Sequence, residues 1–292
     1  MTDSKTRRWL LAKTRRWLLA LGACALLAPA AQAQQAKEIT IATEGAFAPW
    51  NLTEPSGKLG GFDVELANDL CRRMNAKCKM VGQDWAGIIP ALQAGKHDAV
   101  MTGMNITDKR LAVIGFSKPY ATSRHVFATM NDRDILNLPK NGELIDITSL
   151  NDDGKATIEQ MRKSLKGKTI GVQTSTNALA FLENFFKGDI QIREYKTSEQ
   201  HDLDLSAGRI DAVFVDYASA MASLEKKELQ GMTVAGPAFR GGLLGRGVAI
   251  GLRKDDGGLK QSLDQAIDQA LADGTIKTLS LKWFKSDMSP PK

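Results

Sequence analysis

The chain has 292 residues, of which 43% are hydrophobic and 25% charged. That is enough for one large or two medium domains with apolar cores, and it excludes a disordered tail, a collagen-like repeat and a disulfide-dense miniprotein. The formal charge of +6 invites a nucleic-acid or membrane reading, but residues 1–33 carry a net +5 and the remaining 259 only +1, so the body is nearly neutral.

The first 33 residues read as an address. A basic stretch runs to Arg16, an apolar run follows from Trp17 to Pro29, and Ala31-Gln-Ala33 supplies a cleavage signal. The apolar run is too short to span a bilayer comfortably, and no later stretch approaches the necessary length. The block Lys5–Ala12 recurs at 13–20 and says nothing about fold. Leu21-Gly-Ala-Cys24 also resembles a lipoprotein signal, although apolar Ala25-Leu-Leu27 continues where a mature lipoprotein turns polar. Paired arginines before tryptophan weakly resemble a twin-arginine signal. The bacterial-type leader points to a mature periplasmic chain from Gln34.

Strands and helices then alternate. Residues 38–43 form a β-like run. A helix over 63–74 places Val64, Leu66, Ala67, Leu70, Cys71 and Met74 on one face. A strand over 78–81, a helix over 86–94 closed by Gly95, and a strand over 99–102 follow. With Cys24 removed, Cys71 and Cys78 are an even pair in an oxidising compartment. One ends a helix and the other begins a strand, so the chain can fold back and join them in a disulfide. A zinc reading lacks a second cysteine pair, and His97, His125 and His201 are scattered.

From 129 to 167 the chain turns polar. A second series then runs through a strand at 168–173, a helix at 177–186 and a strand at 212–215. Glycine-rich 240–247 precedes a strand at 248–252, and two helices, near 258–272 and 275–284, close the chain. This order implies an α/β fold with a substantially parallel core.

One internal echo matters. Leu92-Gln-Ala-Gly-Lys-His-Asp-Ala-Val100 and Leu205-Ser-Ala-Gly-Arg-Ile-Asp-Ala-Val213 agree at six of nine positions. Any helix-to-strand connection can look like this; the alternative is two similar lobes, each offering strand carboxyl ends to a shared cleft. The segments after the two copies are therefore the places to look for chemistry. In Asn105-Ile-Thr-Asp-Lys-Arg110, Thr107 and Asp108 resemble a helix start. Arg110 just inside it can hold a small carboxylate, or be a solvated surface arginine. Asp216 can accept an ammonium or cap a helix. Phe47 and Trp85 leave predicted strands, either as core or as walls of an apolar slot with Glu44 at its far end.

Here the residues reach a resemblance. Gly61-Phe-Asp-Val-Glu-Leu-Ala, Trp85-Ala-Gly-Ile-Ile-Pro-Ala-Leu, Thr102-Gly-Met-Asn-Ile-Thr-Asp-Lys-Arg110 and Phe116-Ser-Lys-Pro-Tyr120 occur in the order and spacing of the polar amino-acid family of periplasmic solute-binding proteins. The chain resembles its lysine/arginine/ornithine-binding members, which carry a Cys-x6-Cys pair. It also resembles the octopine/nopaline-binding members, which share a lengthened 131–167 segment. The resemblance implies a type II α/β binding protein, two lobes joined by two crossing strands and closing on a ligand between them. The implied organisation is a leader at 1–33, a first lobe from 34–124 and 245–292, and a second from 125–244.

The resemblance also implies roles. Arg110 clamps the ligand α-carboxylate with help from Asn105 and Thr176, Thr102 and Gly103 add main-chain or hydroxyl contacts, and Asp216 holds the α-ammonium. Phe47 and Trp85 flank the side chain, and Glu44 meets its distal end. Departures are Asn105 in place of the usual Ser or Thr, Phe47 where basic-amino-acid and opine binders often have Tyr, and bulkier Thr122-Ser-Arg-His-Val126 where opine binders have small residues. Glutamine binders also place an acid at the position of Glu44. The expected protein is thus a monomeric amino-acid carrier for an inner-membrane ABC permease, with no cofactor or metal. Arginine or another basic amino acid is the favoured ligand, and an opine or glutamine the alternative. A cyclohexadienyl or arogenate dehydratase-like enzyme is the alternative of another class, for which no catalytic constellation is visible.

Overall fold

A computed structural model describes residues 38–291; the leader read at 1–33, with its repeat and Cys24, lies outside the described residues. Two mixed sheets organise the chain. The first runs in the order Lys77–Gly82, Glu38–Thr43, Ala99–Val100, Gly251–Leu252, Gly115–Phe116. Side-chain alternation along Glu38–Thr43 sends Ile39 and Ile41 to one face and Ala42 to the other. The first face packs on Phe62, Leu66 and Leu70 of the helix Phe62–Arg73 and on Leu263 and Ile267 of the helix Gly257–Ala272. The second packs on Ile88 and Leu92 of the helix Trp85–Gln93. Both faces are covered, and Thr43 at the strand's end is buried along with Ile39, Ile41 and Ala42.

The second sheet runs Gln191–Tyr195, Thr169–Gln173, Ala212–Asp216, His125–Met130, Met232–Arg240, Leu144–Asp146. One face carries Phe127, Phe214 and Phe239 against Phe181 and Phe186 of the helix Asn177–Phe186, with Phe181 stacked 4.6 Å from Phe214. Val126, Ala128, Val213 and Val215 fill the other.

Neither sheet is as parallel as the strand–helix alternation suggests. Gly251–Leu252 is antiparallel to both its neighbours, as is His125–Met130 in the other sheet. The chain passes between the sheets at 117–124 and again at 241–250, where Val248 bridges both Asn105 and Ala121. The parallel strands Glu38–Thr43 and Ala212–Asp216 end at the cleft between the sheets, and a strand arriving by a crossing starts there, so it must run the other way. Strand direction leaves no mark in hydrophobic periodicity. The crossing also explains the glycine at 245: its φ is +101°, and a Cβ there would lie 2.7 Å from the Ile106 carbonyl oxygen.

The predicted strand at 248–252 pairs as a named strand only over Gly251–Leu252, because Val248 is spent on the crossing. The polar 129–167 segment holds the strand Leu144–Asp146 and the helix Asp152–Ser164, started by Asn151, whose Oδ1 accepts from the Gly154 amide at 2.8 Å. This helix buries only Gly154, Thr157, Ile158 and Met161, a face too narrow to stand out against its charges. Gln191–Tyr195 and Met232–Arg240 are further elements with no counterpart in the sequence analysis, and of the helix Ser198–Ser206 only the end, in the echo at Leu205, has one.

Cys71 on the helix Phe62–Arg73 is joined to Cys78 on the strand Lys77–Gly82, with Cα atoms 6.1 Å apart. Closing so short a loop restricts the unfolded chain by about 2.5 kcal/mol in the chain-entropy model. The double variant Cys71→Ala/Cys78→Ala is therefore expected to keep the fold and lose about 2 kcal/mol. Urea unfolding followed by circular dichroism checks it, and an unchanged midpoint would contradict it.

Candidate functional site

The cleft is built from strand ends. On the first lobe, Asn51 ties the loop after Glu38–Thr43 to the loop after Ala99–Val100. Its Oδ1 accepts from the Gly45 amide (2.8 Å), and its Nδ2 donates to Thr102 Oγ1 (3.2 Å) and Asp63 Oδ2 (3.1 Å). Thr102 Oγ1 also accepts from the Glu44 amide at 3.0 Å. Asp63 is fully buried and accepts from Tyr120 Oη at 2.7 Å; burial pushes its carboxyl up to about 7 against these donors. Gly103, at φ +62°, lies under the Phe47 ring, and a Cβ on it would come within 2.9 Å of that ring. Only glycine lets Phe47 lie flat there.

Arg110 is held by its own short helix, Asp108–Leu111, capped by Thr107 Oγ1, which accepts from the Arg110 amide at 3.3 Å. One guanidinium nitrogen donates to the Asn105 carbonyl at 2.9 Å, and the group sits 4.9 Å from the Trp85 ring centroid. The side chain is 8% exposed, and burial lowers its pKa to about 10 with no acidic neighbour to offset it. Asn105 Oδ1 accepts from Ser123 Oγ at 2.7 Å, which leaves its Nδ2 as the donor.

On the second lobe, Asp216 is a helix cap, the one of its two sequence readings with a partner in the fold. It ends the strand Ala212–Asp216 and caps the helix Tyr217–Leu224: Oδ1 accepts from the amides of Ala218 (3.0 Å) and Ser219 (3.2 Å) and from Trp50 Nε1 (2.9 Å). Its Oδ2 is buried without a partner among the described residues, and burial raises the carboxyl to about 6 against the Trp50 and amide hydrogen bonds. Thr176 caps the helix Asn177–Phe186. Its hydroxyl accepts from the Leu179 amide (3.1 Å) and donates to the Gln173 carbonyl (2.7 Å), so the proton that the clamp role asks of it is already committed. What Thr176 brings to the cleft is the positive end of that helix.

The lobes meet through hydrogen bonds across the cleft. Gln173 Nε2 donates to Glu44 Oε1 (2.6 Å), Trp85 Nε1 to the Thr174 carbonyl (3.1 Å), and Ser219 Oγ to the Ala48 carbonyl (2.7 Å). All nine residues expected to form the site (Glu44, Phe47, Trp85, Thr102, Gly103, Asn105, Arg110, Thr176 and Asp216) line this one cleft. Further lining residues have no role in the sequence analysis, among them His125, Gln173, Ser198, His201 and Phe214. Gln173 was findable as the last residue of a predicted strand. Ser198 and His201 were not, because the echo at Leu205 marks only the end of their helix. His125 is buried and neutral, its pKa pushed down to about 3 by burial and then by Arg110.

The arrangement suits a zwitterion. Among the described residues, a buried guanidinium with no acidic partner stands on one lobe and a buried carboxylate oxygen with no donor on the other, with an aromatic-walled slot leading to Glu44. Burial raises Glu44 to about 7, more than the Gln173 hydrogen bond lowers it.

Two α/β lobes closing on such a cleft define the fold of a periplasmic binding protein. The chain belongs to the bacterial extracellular solute-binding proteins, family 3, whose family model matches residues 39–286. It is 45% identical over 276 residues to the octopine-binding periplasmic protein of Rhizobium meliloti, covering 88% of this chain and 94% of that one. It is 34% identical over 265 residues to the histidine-binding periplasmic protein of Escherichia coli K12, covering 89% and 93%. Among solved structures, an ancestral arginine-binding protein bound to arginine superposes with a TM-score of 0.71 at 27% identity, covering 85% of this chain and 98% of that one.

The raised Glu44 pKa has a consequence for stability. Glu44 binds its proton more tightly in the fold than in the unfolded chain, so its stabilising contribution is complete below about pH 4.5 and is lost as pH rises through about 7. Buried His125 acts the other way below about pH 6.5, but it is common to parent and variant. The stability difference between Glu44→Gln and the ligand-free parent is therefore expected to grow in the variant's favour by about 2–3 kcal/mol between pH 5 and pH 8. Chemical denaturation of both proteins across that range measures it, and a difference independent of pH would contradict it.

Proposed function

We propose that this protein captures an L-amino acid in the periplasm and delivers it to an inner-membrane ABC permease. The ligand is one with a cationic side chain, arginine foremost. The observation that carries this reading is a pair of buried groups facing one cleft from opposite lobes, Arg110 with no acidic partner and Asp216 Oδ2 with no donor among the described residues. Each costs free energy to leave dry and unpaired, and an α-amino acid answers both with a single zwitterion. Asn105, Thr102 and Gly103 then surround the α-carboxylate, Phe47 and Trp85 flank the stem, and Glu44 receives the distal cation. A cation beside Glu44 would hold it ionised, which supports a basic side chain over an acidic one.

The periplasmic leader at 1–33 fits a carrier for such a solute, as do the names of the relatives. We take the lobes to divide at 124/125 and 244/245, and the carrier to act as a monomer. Binding rather than turnover is the proposed activity, since the cleft groups are arranged to hold charges and not to attack a bond. A second reading is an opine, an amino acid carrying a second carboxylate on its α-nitrogen; the 45% identity to an octopine-binding protein favours it. The lengthened 131–167 segment has no part in either reading.

Thermal unfolding of residues 34–292, stripped of bound ligand by denaturation and refolding, tests the proposal. A ligand at 1,000 times its dissociation constant adds about 4 kcal/mol, a shift of several degrees. Arginine or ornithine should shift the midpoint and glutamate should not; a shift with octopine alone would favour the second reading, and one with glutamine alone would discard the cation. Arg110→Ala should weaken binding by about 2–5 kcal/mol, because it leaves the ligand carboxylate buried and unpaired. Isothermal titration measures this, and an unchanged affinity would refute the clamp.

A further inference from the structure

The helix Ser198–Ser206 brings one more group to the cleft, and the amino-acid reading leaves it without a role. His201 is 1% exposed, lines the cleft, and has neither ring nitrogen in a hydrogen bond among the described residues. A buried imidazole left so is costly, and a chain that only needed packing volume there could use an aliphatic residue. Its position is built. Gly171 on the neighbouring strand leaves room for it, since a Cβ there would lie 3.2 Å from His201 Cβ, and the Tyr195 ring meets it edge-on with centroids 6.0 Å apart.

His201 stands one helical turn after Ser198, whose Oγ donates to the Ala46 carbonyl (3.2 Å) beside Glu44 and Phe47. Gln173, the partner of Glu44, donates from the same nitrogen to the Lys196 carbonyl (3.0 Å), just ahead of this helix. His201 therefore belongs to the Glu44 end of the cleft and approaches it from the other lobe.

Its orientation follows from its neighbour. Nδ1 lies 3.1 Å from Asp202 Oδ1, without the alignment of a full hydrogen bond. Asp202 Oδ2 accepts from Ser223 Oγ at 2.6 Å and lies 3.5 Å from Lys226 Nζ. Burial pushes the Asp202 carboxyl up, but His201, Ser223 and Lys226 hold it below the usual carboxylate range, so it is ionised beside Nδ1. In the neutral imidazole a carboxylate there favours the proton on Nδ1, and the lone pair is then on Nε2.

We propose that His201 is a specificity-determining residue at the distal end of the cleft, its Nε2 accepting an N–H from the ligand side chain whose charge Glu44 meets from the first lobe. The proposal rests on the amino-acid reading above and narrows it. Two acceptors on opposite lobes call for a side chain with donors pointing in at least two directions, as a guanidinium has. A terminal carboxylate offers no donor, and an aliphatic tail would leave Nε2 unpaired. Asp202 is the positioning residue in this scheme.

Titration calorimetry of the purified protein with two probes tests this: arginine, and norvaline, which has the same unbranched stem but no distal donor. His201→Leu should weaken arginine about tenfold or more and leave norvaline within about twofold. His201→Gln, which keeps an acceptor, should recover part of the loss, and Asp202→Asn should weaken arginine selectively but less. Equal losses for arginine and norvaline would show that His201 only packs, and unchanged arginine affinity would remove it from the site; either overturns the proposal while the amino-acid reading stands. If the parent binds neither probe, that reading fails and the proposal falls with it.

Discussion

Two buried groups of opposite charge, each short of a partner, set the terms for this molecule. Arg110 and Asp216 Oδ2 are removed from water by the packing around them; among the described residues the guanidinium has no acidic partner and the carboxylate oxygen no donor. An isolated buried charge is among the most expensive features a fold can carry. The surrounding structure makes that arrangement tolerable: Trp85 spreads its π-face beneath the guanidinium, the Asn105 carbonyl accepts one of its protons, and Asp216 Oδ1 satisfies two helix amides and the Trp50 indole. What is left over is one donor fork and one acceptor oxygen, directed at a common space.

The rest of the first lobe keeps those groups where they are. Asn51 and Asp63 form a buried polar knot that ties the loops carrying Glu44, Phe47, Thr102 and Gly103 to the helix Phe62–Arg73 and to Tyr120. Every member has partners, so the knot is rigid, and it supports the side chains that remain underused. Tyr120 lies at the start of the crossing between lobes, and its amide donates to the Val248 carbonyl of the returning strand. The knot is thus continuous with both crossings. Polar satisfaction and lobe connection are one piece of construction here.

Much of the fold was legible because its signals are local. The helix Asn177–Phe186 and the strand Glu38–Thr43 agree with their sequence ranges residue for residue, since a side-chain cap starts the one and β-branched residues fill the other. Asp152–Ser164 was hidden by its charges, and all but the end of Ser198–Ser206 by a pattern with almost no apolar periodicity. That second omission removed Ser198 and His201 from view, although both line the cleft. Thr176 shows a different shortfall: its place was legible, but its hydroxyl is consumed by capping and by the Gln173 carbonyl. A residue type at a motif position indicates what a side chain can do, not which of its hydrogen bonds are already taken.

The sequence by itself determined the α/β class, the paired cysteines, the family pattern and the nine positions that line the cleft, because each depends on short-range spacing or on motifs that travel intact along the chain. Only the tertiary structure decided the rest. Strand direction depends on which end of a sheet a crossing enters, and periodicity is blind to that. The spare capacity of Asp216 Oδ2 and His201, and the lack of an acid beside Arg110, depend on which neighbours the fold brings near, from segments up to 166 residues apart, as in the Trp50–Asp216 bond. Whether a polar group is satisfied is a property of its whole surroundings, and those exist only once the chain has folded.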